Sequence, residues 1–342
     1  MSSFAIVPWS LDYSNDKIFE IGLELNNDNA LEPYAEMRCE FEKRGHIIHT
    51  LDKYDDYMEV DYFLFFTLDW HVVRQLIRIK KTDRMVYCTA EPPSVCNFNT
   101  PKGYRVLRYV FPYILTWNHN WVDNKYVFRR NIPYHFIDQR SADGSFEKKK
   151  LLTCISGNKH SAYPGELYSE REKAILFFEE NHPDEFVFYG KGWDKEIHPC
   201  YGGAVDKKAD VYQKYRFALC YENIEGMNGY VTEKMPDCLV NGIVPIYAGS
   251  VDVDDYIPRE CYIRLRDFNN YVELYEYLKT MDTSTYSNYL NNADLFLKSD
   301  KSDYFSGAKY AQYILEAISH KKPFFKTSVV AYKLVKLFLE RQ

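Results

Sequence analysis

Long apolar runs, paired cysteines and an excess of positive charge are all missing from this sequence. No apolar run approaches the roughly 18 residues that a membrane-spanning helix needs, and the N-terminus lacks the basic and apolar segments of a signal sequence. The formal net charge is -6 at pH 7, which argues against a general nucleic-acid binder. These absences predict a protein that works in the cytoplasm and not on nucleic acid.

The cysteines point to the same compartment. Eight of them are scattered along the chain, with no CxxC pair and no regular spacing. Cys88, Cys154 and Cys220 lie within apolar runs, which predicts buried thiols rather than a disulfide framework. Buried, unpaired thiols are typical of a reducing environment.

Two patterns resemble metal ligands, and neither is strong. Asp252 and Asp254 form an Asp-Val-Asp sequence, but they follow a Gly-Ser pair in a loop, where a solvated turn is the more ordinary interpretation. His46 and His49 lie three residues apart on a strand-like run, so their side chains point to opposite faces. We therefore predict no metal site and no cofactor.

The length and the pattern of apolar residues predict two α/β domains. A chain of 342 residues with 46% hydrophobic residues can fill two cores. Strand-like runs alternate with helical ones in both halves, which predicts βαβ units on parallel sheets. We predict domains at 1–145 and 151–320, separated by a polar linker. The predicted strands are 4–9, 46–51, 62–67, 85–89, 113–117, 151–156, 185–189, 217–221 and 243–248, and the predicted helices are 31–44, 71–80, 169–180, 209–215 and 235–241. From residue 270 onward the periodicity predicts further helices.

The last 22 residues, 321–342, form a third segment with a basic and amphipathic pattern. Lys333 and Lys336 alternate there with Leu334 and Leu337. Such a helix could lie on an anionic membrane surface. Docking against the rest of the protein is the other interpretation, and the pattern does not choose between them.

The most informative segment runs from Tyr221 to Lys234. It follows a strand-like run, contains a polar loop with glycine, and leads into a helix. The start of such a helix is where α/β proteins hold anionic ligands. Thr232 can cap the helix, and Lys234 then adds a positive charge beside the positive end of the helix dipole, which is unfavourable unless an anion binds. The alternative is a solvated Glu-Lys pair at a helix start.

Two further residues occupy comparable positions at the ends of predicted strands. Arg171 begins a helix after a strand and loop, where its guanidinium could reach the same anion. The alternative is a surface arginine paired with a nearby glutamate. Glu91 ends a strand and precedes two prolines that would stiffen the chain and fix its direction. The alternative there is an exposed glutamate in a turn.

Taken together, these motifs resemble the α-1,3/4-fucosyltransferases, glycosyltransferase family ten. The matching residues are Tyr221-Glu222-Asn223, Tyr230-Val231-Thr232-Glu233-Lys234 and the strand Val244-Pro245-Ile246 that ends in Gly249. The resemblance is strong from about residue 151 to 296. In the first half it rests mainly on Ala90-Glu91-Pro92-Pro93.

This resemblance implies a GT-B fold, with two Rossmann-like domains that face a central cleft. It implies an N-terminal acceptor domain and a C-terminal domain that holds GDP-fucose. Arg171 and Lys234 would then neutralise the diphosphate, and Glu233 would contact the donor. Asn223 and Tyr230 would line the same pocket, and Glu91 would be the general base.

The expected activity is a metal-independent, inverting transfer of L-fucose from GDP-β-L-fucose to an oligosaccharide. The expected accepting group is O3 of N-acetylglucosamine or glucose. Two alternatives stay open at this point: a GT-B transferase that uses another nucleotide sugar, and a catalytically silent glycan-binding protein of the same fold.

Overall fold

Two compact units make up the protein, and the computed structural model describes residues 1–136, 146–320 and 327–340. Unit 1 contains Met1–His135 together with the chain from Phe305 onward, and unit 2 contains Phe136–Tyr304. Each unit has its own parallel sheet and its own apolar packing. None of the helices in the described ranges has the length and apolarity that crossing a membrane requires.

The sheet of unit 1 has six parallel strands in the order β2-β1-β3-β4-β5-β6. Phe4 and Ile6 pack into the core on one face, whereas Ala5 and Val7 pack into the core on the other. Burial on both faces explains why these strands are almost wholly apolar in sequence. The strands are β1 (Ser3–Val7), β2 (Ile47–Thr50), β3 (Tyr62–Phe65), β4 (Met85–Tyr87), β5 (Tyr113–Thr116) and β6 (Val127–Arg129).

Local signals set the starts of the helices between these strands, which are α1 (Glu32–Lys43), α2 (Trp70–Arg78) and α3 (Pro101–Leu107). The Asp69 carboxylate accepts hydrogen bonds from two backbone N–H groups in the first turn of α2. Thr100 caps α3 in the same way, and Pro101 occupies a first-turn position that needs no N–H group.

Unit 2 repeats this architecture with five parallel strands in the order β11-β10-β9-β7-β8. The order of the strands reverses between β7 and β9, which is the position where open α/β sheets bind ligands. The strands are β7 (Lys150–Ile155), β8 (Phe186–Tyr189), β9 (Tyr215–Tyr221), β10 (Val244–Ala248) and β11 (Ile263–Arg264). The helices are α4 (Tyr168–Asn181), α5 (Ala209–Tyr212), α6 (Lys234–Val240), α7 (Tyr271–Thr280) and α8 (Thr283–Leu297).

The two C-terminal helices, α9 (Gly307–Ser319) and α10 (Val329–Glu340), belong to unit 1. α9 packs on α1 so closely that a Cβ atom on Gly307 would lie 1.7 Å from the Pro33 carbonyl oxygen. α10 buries Tyr332, Val335 and Leu339 in the apolar core on the other face of the sheet.

The predicted domain boundaries therefore need correction at their C-terminal end. The predicted domain 151–320 included residues 305–320, but these residues pack in unit 1. The contacts responsible are long-range: Gly307 N donates to Glu36 Oε2 at 2.8 Å across 271 positions, which no local pattern reveals. Of the predicted tail, residues 329–340 form the docked helix α10. Residues 321–326 and 341–342 of that tail, and 137–145 near the predicted linker, lie outside the described residues.

The predicted secondary structure is confirmed for every long element, with ends that differ from the predicted ones by at most three residues. All nine predicted strands and all five predicted helices are present, and α7 to α10 lie in the stretch after residue 270 that is predicted to be helical. The structure adds β6, β11 and α3, which are 3, 2 and 7 residues long. Elements this short carry too little periodicity for a sequence pattern to detect.

The two faces of α10 allow a direct test of docking. Leu339 is 6% exposed and packs in the core, whereas Leu334 on the same helix is 62% exposed. We expect Leu339→Ala to lower the free energy of unfolding of unit 1 by about 2 kcal/mol, because it leaves a cavity. Leu334→Ala should change it by less than about 0.5 kcal/mol. Urea unfolding followed by tryptophan fluorescence measures both. Equal losses would contradict the assignment of the docked face.

Candidate functional site

The carboxyl end of β9 is the centre of the candidate site in unit 2. The strand ends at Tyr221, and Arg171 Nη2 donates hydrogen bonds to the carbonyl oxygens of Tyr221 and Glu222, at 2.8 and 2.9 Å. Arg171 Nη1 donates to Ser156 Oγ, just after β7, at 2.7 Å. One side chain of α4 thus joins the ends of β7 and β9, where the strand order reverses.

Arg171 is a buried residue, only 6% exposed. No carboxylate in the described ranges lies within 4.0 Å of its guanidinium, so the interpretation as a surface arginine paired with glutamate is wrong. The guanidinium instead donates three hydrogen bonds to oxygen atoms of the protein. Its predicted contact with a phosphate stays a prediction.

Glu222 is fully buried, and the sequence analysis did not single it out as a site residue. Its carboxylate accepts hydrogen bonds from Thr232 N at 2.8 Å, from Thr232 Oγ1 at 2.7 Å and from Lys234 Nζ at 3.3 Å. Burial raises the pKa of Glu222, although Lys234 and the hydrogen bonds from Thr232 oppose the shift. A carboxylate directly after an apolar strand run was the available signal, because it must be either exposed or held by donors.

Lys234 is the first residue of α6 and lies among charged groups. Its Nζ is 3.3 Å from Glu222 Oε2 and 3.6 Å from Glu233 Oε1. Burial works against ionisation of Lys234, but the carboxylates of Glu233 and Glu222 outweigh it and raise the pKa of the ammonium. Arg171 is close enough to act in the opposite direction. The sequence thus brings the two predicted phosphate ligands, Arg171 and Lys234, into one electrostatic cluster.

Thr232 Oγ1 accepts a hydrogen bond from Lys234 N, the first backbone N–H group of α6, at 3.5 Å, which is the contact that the predicted cap requires. Glu233, the residue just before the helix, has helical backbone angles and makes no capping bond with its own side chain. The Thr232 hydroxyl also donates to Glu222 and accepts from Lys234 Nζ at 3.2 Å. Partial burial opposes ionisation of Glu233, but Lys234 and Lys208 lower its pKa to about 2. Glu233 is therefore an anion at neutral pH, with half of its side chain exposed.

The remaining two predicted donor-binding residues lie on the same loop. Asn223 is half-buried, and its carbonyl oxygen accepts a hydrogen bond from Leu167 N at 3.2 Å. Tyr230 is buried, and its carbonyl oxygen accepts from the Tyr247 hydroxyl at 3.5 Å. The backbone of the loop is thus tied to α4 and to β10.

The packing around Glu222 leaves no room for a side chain at position 249, which follows β10, so a glycine is required there. A Cβ atom there would lie 2.5 Å from Glu222 Cγ and 2.6 Å from the Tyr247 hydroxyl.

Beside Gly249 a cavity of about 1000 Å³ opens between the starts of α4 and α7. Its lining includes Glu166, Glu170, Gly226, Gly249, Arg264 and Tyr271. The five predicted donor-binding residues are not among the lining residues, although Gly226 belongs to the same loop.

In unit 1, hydrogen bonds from buried side chains hold the backbone at Glu91, the predicted base. Trp117 Nε1 donates to the Ala90 carbonyl oxygen at 2.9 Å, and Asn99 Nδ2 donates to the Glu91 carbonyl oxygen at 2.7 Å. Asn99 is fully buried, and its Oδ1 accepts from the Tyr87 hydroxyl at 2.8 Å. The Glu91 side chain is exposed. Neither Asn99 nor Trp117 carried a signal in the sequence, since both act on the backbone.

Glu91 lines a cavity of about 570 Å³ that lies wholly in unit 1. The carboxyl ends of β1, β3 and β4 supply much of the lining, and Arg130 and Tyr310 close it. Glu91 lies four residues after β4, at the edge of the sheet where open α/β folds place their chemistry. Its role as the general base stays a prediction.

The structure also accounts for the Asp-Val-Asp pattern at 252–254. Asp254 accepts hydrogen bonds from Arg264 and from the Tyr262 hydroxyl, and Asp252 accepts from Gly229 N at 2.8 Å. Both acids therefore join their loop to neighbouring segments of unit 2. The described part of the chain contains no cluster of three or more His, Cys, Asp or Glu side chains suited to a metal ion.

All eight cysteines are free, and burial is confirmed for Cys88, Cys154 and Cys220. Cys220 on β9 and Cys238 on α6 are within hydrogen-bond reach of each other, on either side of the loop that carries Glu222 and Lys234. Burial raises the pKa of the Cys220 thiol.

Comparison with known proteins identifies this region. Residues 156–306 match the model of glycosyltransferase family 10 (fucosyltransferase) C-term. The alpha-(1,3)-fucosyltransferase FucT of Helicobacter pylori is 37% identical over 101 residues, which are 27% of this chain and 21% of that protein. The human 4-galactosyl-N-acetylglucosaminide 3-alpha-L-fucosyltransferase 9 is 27% identical over 169 residues, 47% of this chain and 42% of that protein. The chain thus spans less than half the length of these curated relatives.

The likeness in structure extends further along the chain. A crystal structure of an alpha1,3-fucosyltransferase with GDP-fucose matches with a TM-score of 0.55 and 16% identity, covering 96% of this chain and 92% of that one. At this identity the match shows the fold, which is GT-B, as the sequence predicts. The predicted resemblance to glycosyltransferase family ten is confirmed as well, over the residues that the family model matches.

The raised pKa of Glu222 has a measurable consequence for stability. Burial makes ionisation of Glu222 less favourable in the folded state than in the unfolded chain, where its pKa is about 4.3. The stability that the group contributes is thus fully present below about pH 4.3 and is lost as pH rises through the raised folded-state pKa. Glutamine mimics the protonated acid. We therefore expect the stability of Glu222→Gln relative to the wild type to increase as pH rises above about 4.3.

Urea unfolding at several pH values measures this difference. Glu225→Gln is the matched control, because Glu225 lies on the same loop and is exposed. Its difference from the wild type should not vary with pH. If the free energy of unfolding of the wild type instead rose relative to that of Glu222→Gln as pH increased, Lys234 and the Thr232 hydrogen bonds would stabilise the carboxylate by more than its burial costs. That outcome would contradict the raised pKa.

Proposed function

Because residues 156–306 match the C-terminal domain of glycosyltransferase family 10, we propose that this chain is a fucosyltransferase. In this proposal it moves L-fucose from GDP-β-L-fucose to a hydroxyl group of an oligosaccharide, O3 of N-acetylglucosamine or glucose. The family match is the observation that carries the proposal. Its support is that both curated relatives are 3-fucosyltransferases by name and that the related crystal structure holds GDP-fucose.

The proposed reaction is a single in-line displacement that inverts the anomeric carbon. Glu91 accepts the proton of the acceptor hydroxyl, the acceptor oxygen bonds to C1 of fucose, and the bond from C1 to the diphosphate oxygen breaks. The electron pair of that bond leaves with GDP. The bonds from Asn99 and Trp117 to the adjacent carbonyls hold the Glu91 backbone in place, which favours productive geometry.

We further propose that Lys234 and Arg171 stabilise the departing diphosphate without a metal ion. Lys234 keeps its charge because its pKa is raised, and it stands at the start of α6, where the helix dipole also favours an anion. Glu233, ionised at neutral pH and half exposed, can accept hydrogen bonds from ribose hydroxyls. Asn223 and Tyr230 complete the proposed donor pocket.

A panel of sugar nucleotides tests the proposal most directly. GDP-fucose, other GDP-sugars and UDP-sugars are offered with N-acetyllactosamine and with lactose, and hydrolysis and transfer are followed separately. Transfer with GDP-fucose alone supports the proposal. Preference for another sugar nucleotide would assign a different donor. Binding of glycan without turnover of any donor would indicate a silent protein of the same fold.

Lys234→Met is expected to weaken GDP binding by about tenfold to a hundredfold, because it removes one charge-assisted contact to phosphate. Guanosine, which has no phosphate, should bind the variant as well as it binds the wild type. Isothermal titration calorimetry measures both affinities. Lys195→Met, at an exposed lysine of unit 2, is the control and should bind GDP normally. Unchanged GDP affinity in Lys234→Met would remove its phosphate role.

Glu91→Gln is expected to lower the turnover number for transfer by about 10²- to 10⁴-fold, because glutamine cannot accept the proton. GDP affinity should stay at the wild-type value, since the proposed role of Glu91 is to accept the proton of the acceptor hydroxyl and not to hold GDP. Steady-state kinetics with a saturating acceptor measures turnover, and Glu24→Gln, an exposed glutamate of unit 1, is the control. Near-normal turnover would place the base elsewhere.

A further inference from the structure

Aromatic side chains form one wall of the unit 1 cavity that Glu91 lines. Trp9, Tyr34 and Phe66 contribute this wall. The rings of Trp9 and Phe66 are stacked, with centroids 6.0 Å apart and an angle of 19° between their planes. Tyr34 packs against both, with centroid distances of 5.3 Å to Trp9 and 5.7 Å to Phe66. Ring contacts on several sides hold each member of the wall in one orientation.

Trp9 differs from the other four tryptophans in its exposure. All five lie in the described ranges, and Trp9 is the most exposed of them, with 42% of its surface accessible to solvent. Tyr13 packs against it at a centroid distance of 4.7 Å, so the indole is supported although it is exposed. A fixed and exposed indole is costly in water and is typical of a binding surface.

The other side of the cavity is polar. Thr89, Glu91 and Arg130 line it. Arg130 is only 2% exposed, and its Nε and Nη1 groups donate to the carbonyl oxygens of Asn131 and Cys88. Its guanidinium lies over the Tyr310 ring at 4.3 Å and has no ion-pair partner among residues 1–136, 146–320 and 327–340. N–H groups of Arg130 are thus left over for a ligand.

The topology brings these two walls together. Trp9 follows β1, Phe66 follows β3, and Thr89 and Glu91 follow β4. These strands are neighbours in a parallel sheet, so their carboxyl ends share one edge. The cavity therefore presents an apolar face, a carboxylate and hydrogen-bond donors to one ligand. A pyranose ring has matching chemistry, with a face of C–H groups and a rim of hydroxyls.

We propose that Trp9 is the platform on which a sugar ring of the acceptor stacks, with its hydroxyl rim toward Glu91 and Arg130. The identity of this sugar as an acceptor rests on the proposed function. Stacking on a supported indole fixes the plane of the ring, and thereby decides which hydroxyl reaches Glu91. Trp9 then determines the affinity for the acceptor and the choice of its hydroxyl, but takes no part in binding the donor.

Trp9→Ala and Trp9→Phe test this role in the full chain. We expect Trp9→Ala to raise KM for N-acetyllactosamine about tenfold and Trp9→Phe to raise it less, because a smaller ring still stacks. The rate of GDP-fucose hydrolysis without acceptor and the affinity for GDP should stay unchanged. Tyr109→Ala is the control, because Tyr109 is an exposed aromatic residue of unit 1 outside this cavity. An unchanged KM in Trp9→Ala overturns the proposal.

A second measurement separates this proposal from the proposed function. Saturation-transfer NMR with free N-acetyllactosamine and no donor reports which sugar protons contact the protein. We expect a strong signal from the C–H face of one ring in the wild type and in Trp9→Phe, and its loss in Trp9→Ala. This signal requires no turnover, so it decides the platform even if no donor is consumed. An equal signal in all three proteins, or none in the wild type, overturns the platform.

Discussion

The backbone carbonyl groups at the end of β9 impose the constraint on which the candidate site depends. Beyond Tyr221 the chain leaves the sheet, and the oxygens of Tyr221 and Glu222 still need donors in a buried setting. Arg171 supplies both hydrogen bonds from a guanidinium that is itself buried. The direction in which the loop leaves the sheet is therefore set by a side chain of another helix, and the Glu222 carboxylate is aimed by the same contacts.

Further hydrogen bonds from Glu222 fix the later part of the loop. Glu222 holds the backbone and the hydroxyl of Thr232, and Thr232 and Glu222 together hold the ammonium of Lys234. Unit 1 uses the same device with different residues, since buried Asn99 and Trp117 fix the carbonyls beside Glu91. In both units, buried side chains hold the backbone close to the residue that is expected to work on substrate.

The sequence predicts the alternation of strands and helices, the motif from Tyr221 to Lys234 and the position of Glu91 after β4, because each is a local pattern. It does not predict that Arg171 is buried and holds two carbonyl groups, or that Glu222 is buried among donors. A charged residue can be exposed or buried with partners, and only the packed fold decides which. It also misplaces α9, whose contacts with α1 join distant parts of the chain. β11, with two residues, is below the length at which periodicity exists.

Two thiols, Cys220 and Cys238, lie on either side of the loop from Tyr221 to Lys234, so their reactivity can report whether that loop opens. Cys220 precedes Glu222 by two positions and Cys238 follows Lys234 by four, and both are buried while the loop is closed. Cys220 is buried and its raised pKa suppresses the thiolate, so we expect an alkylating reagent to react with it only when β9 and α6 separate. The rate of Cys220 alkylation therefore measures how often the loop unfolds locally. A bound ligand that stabilises the loop would lower this rate.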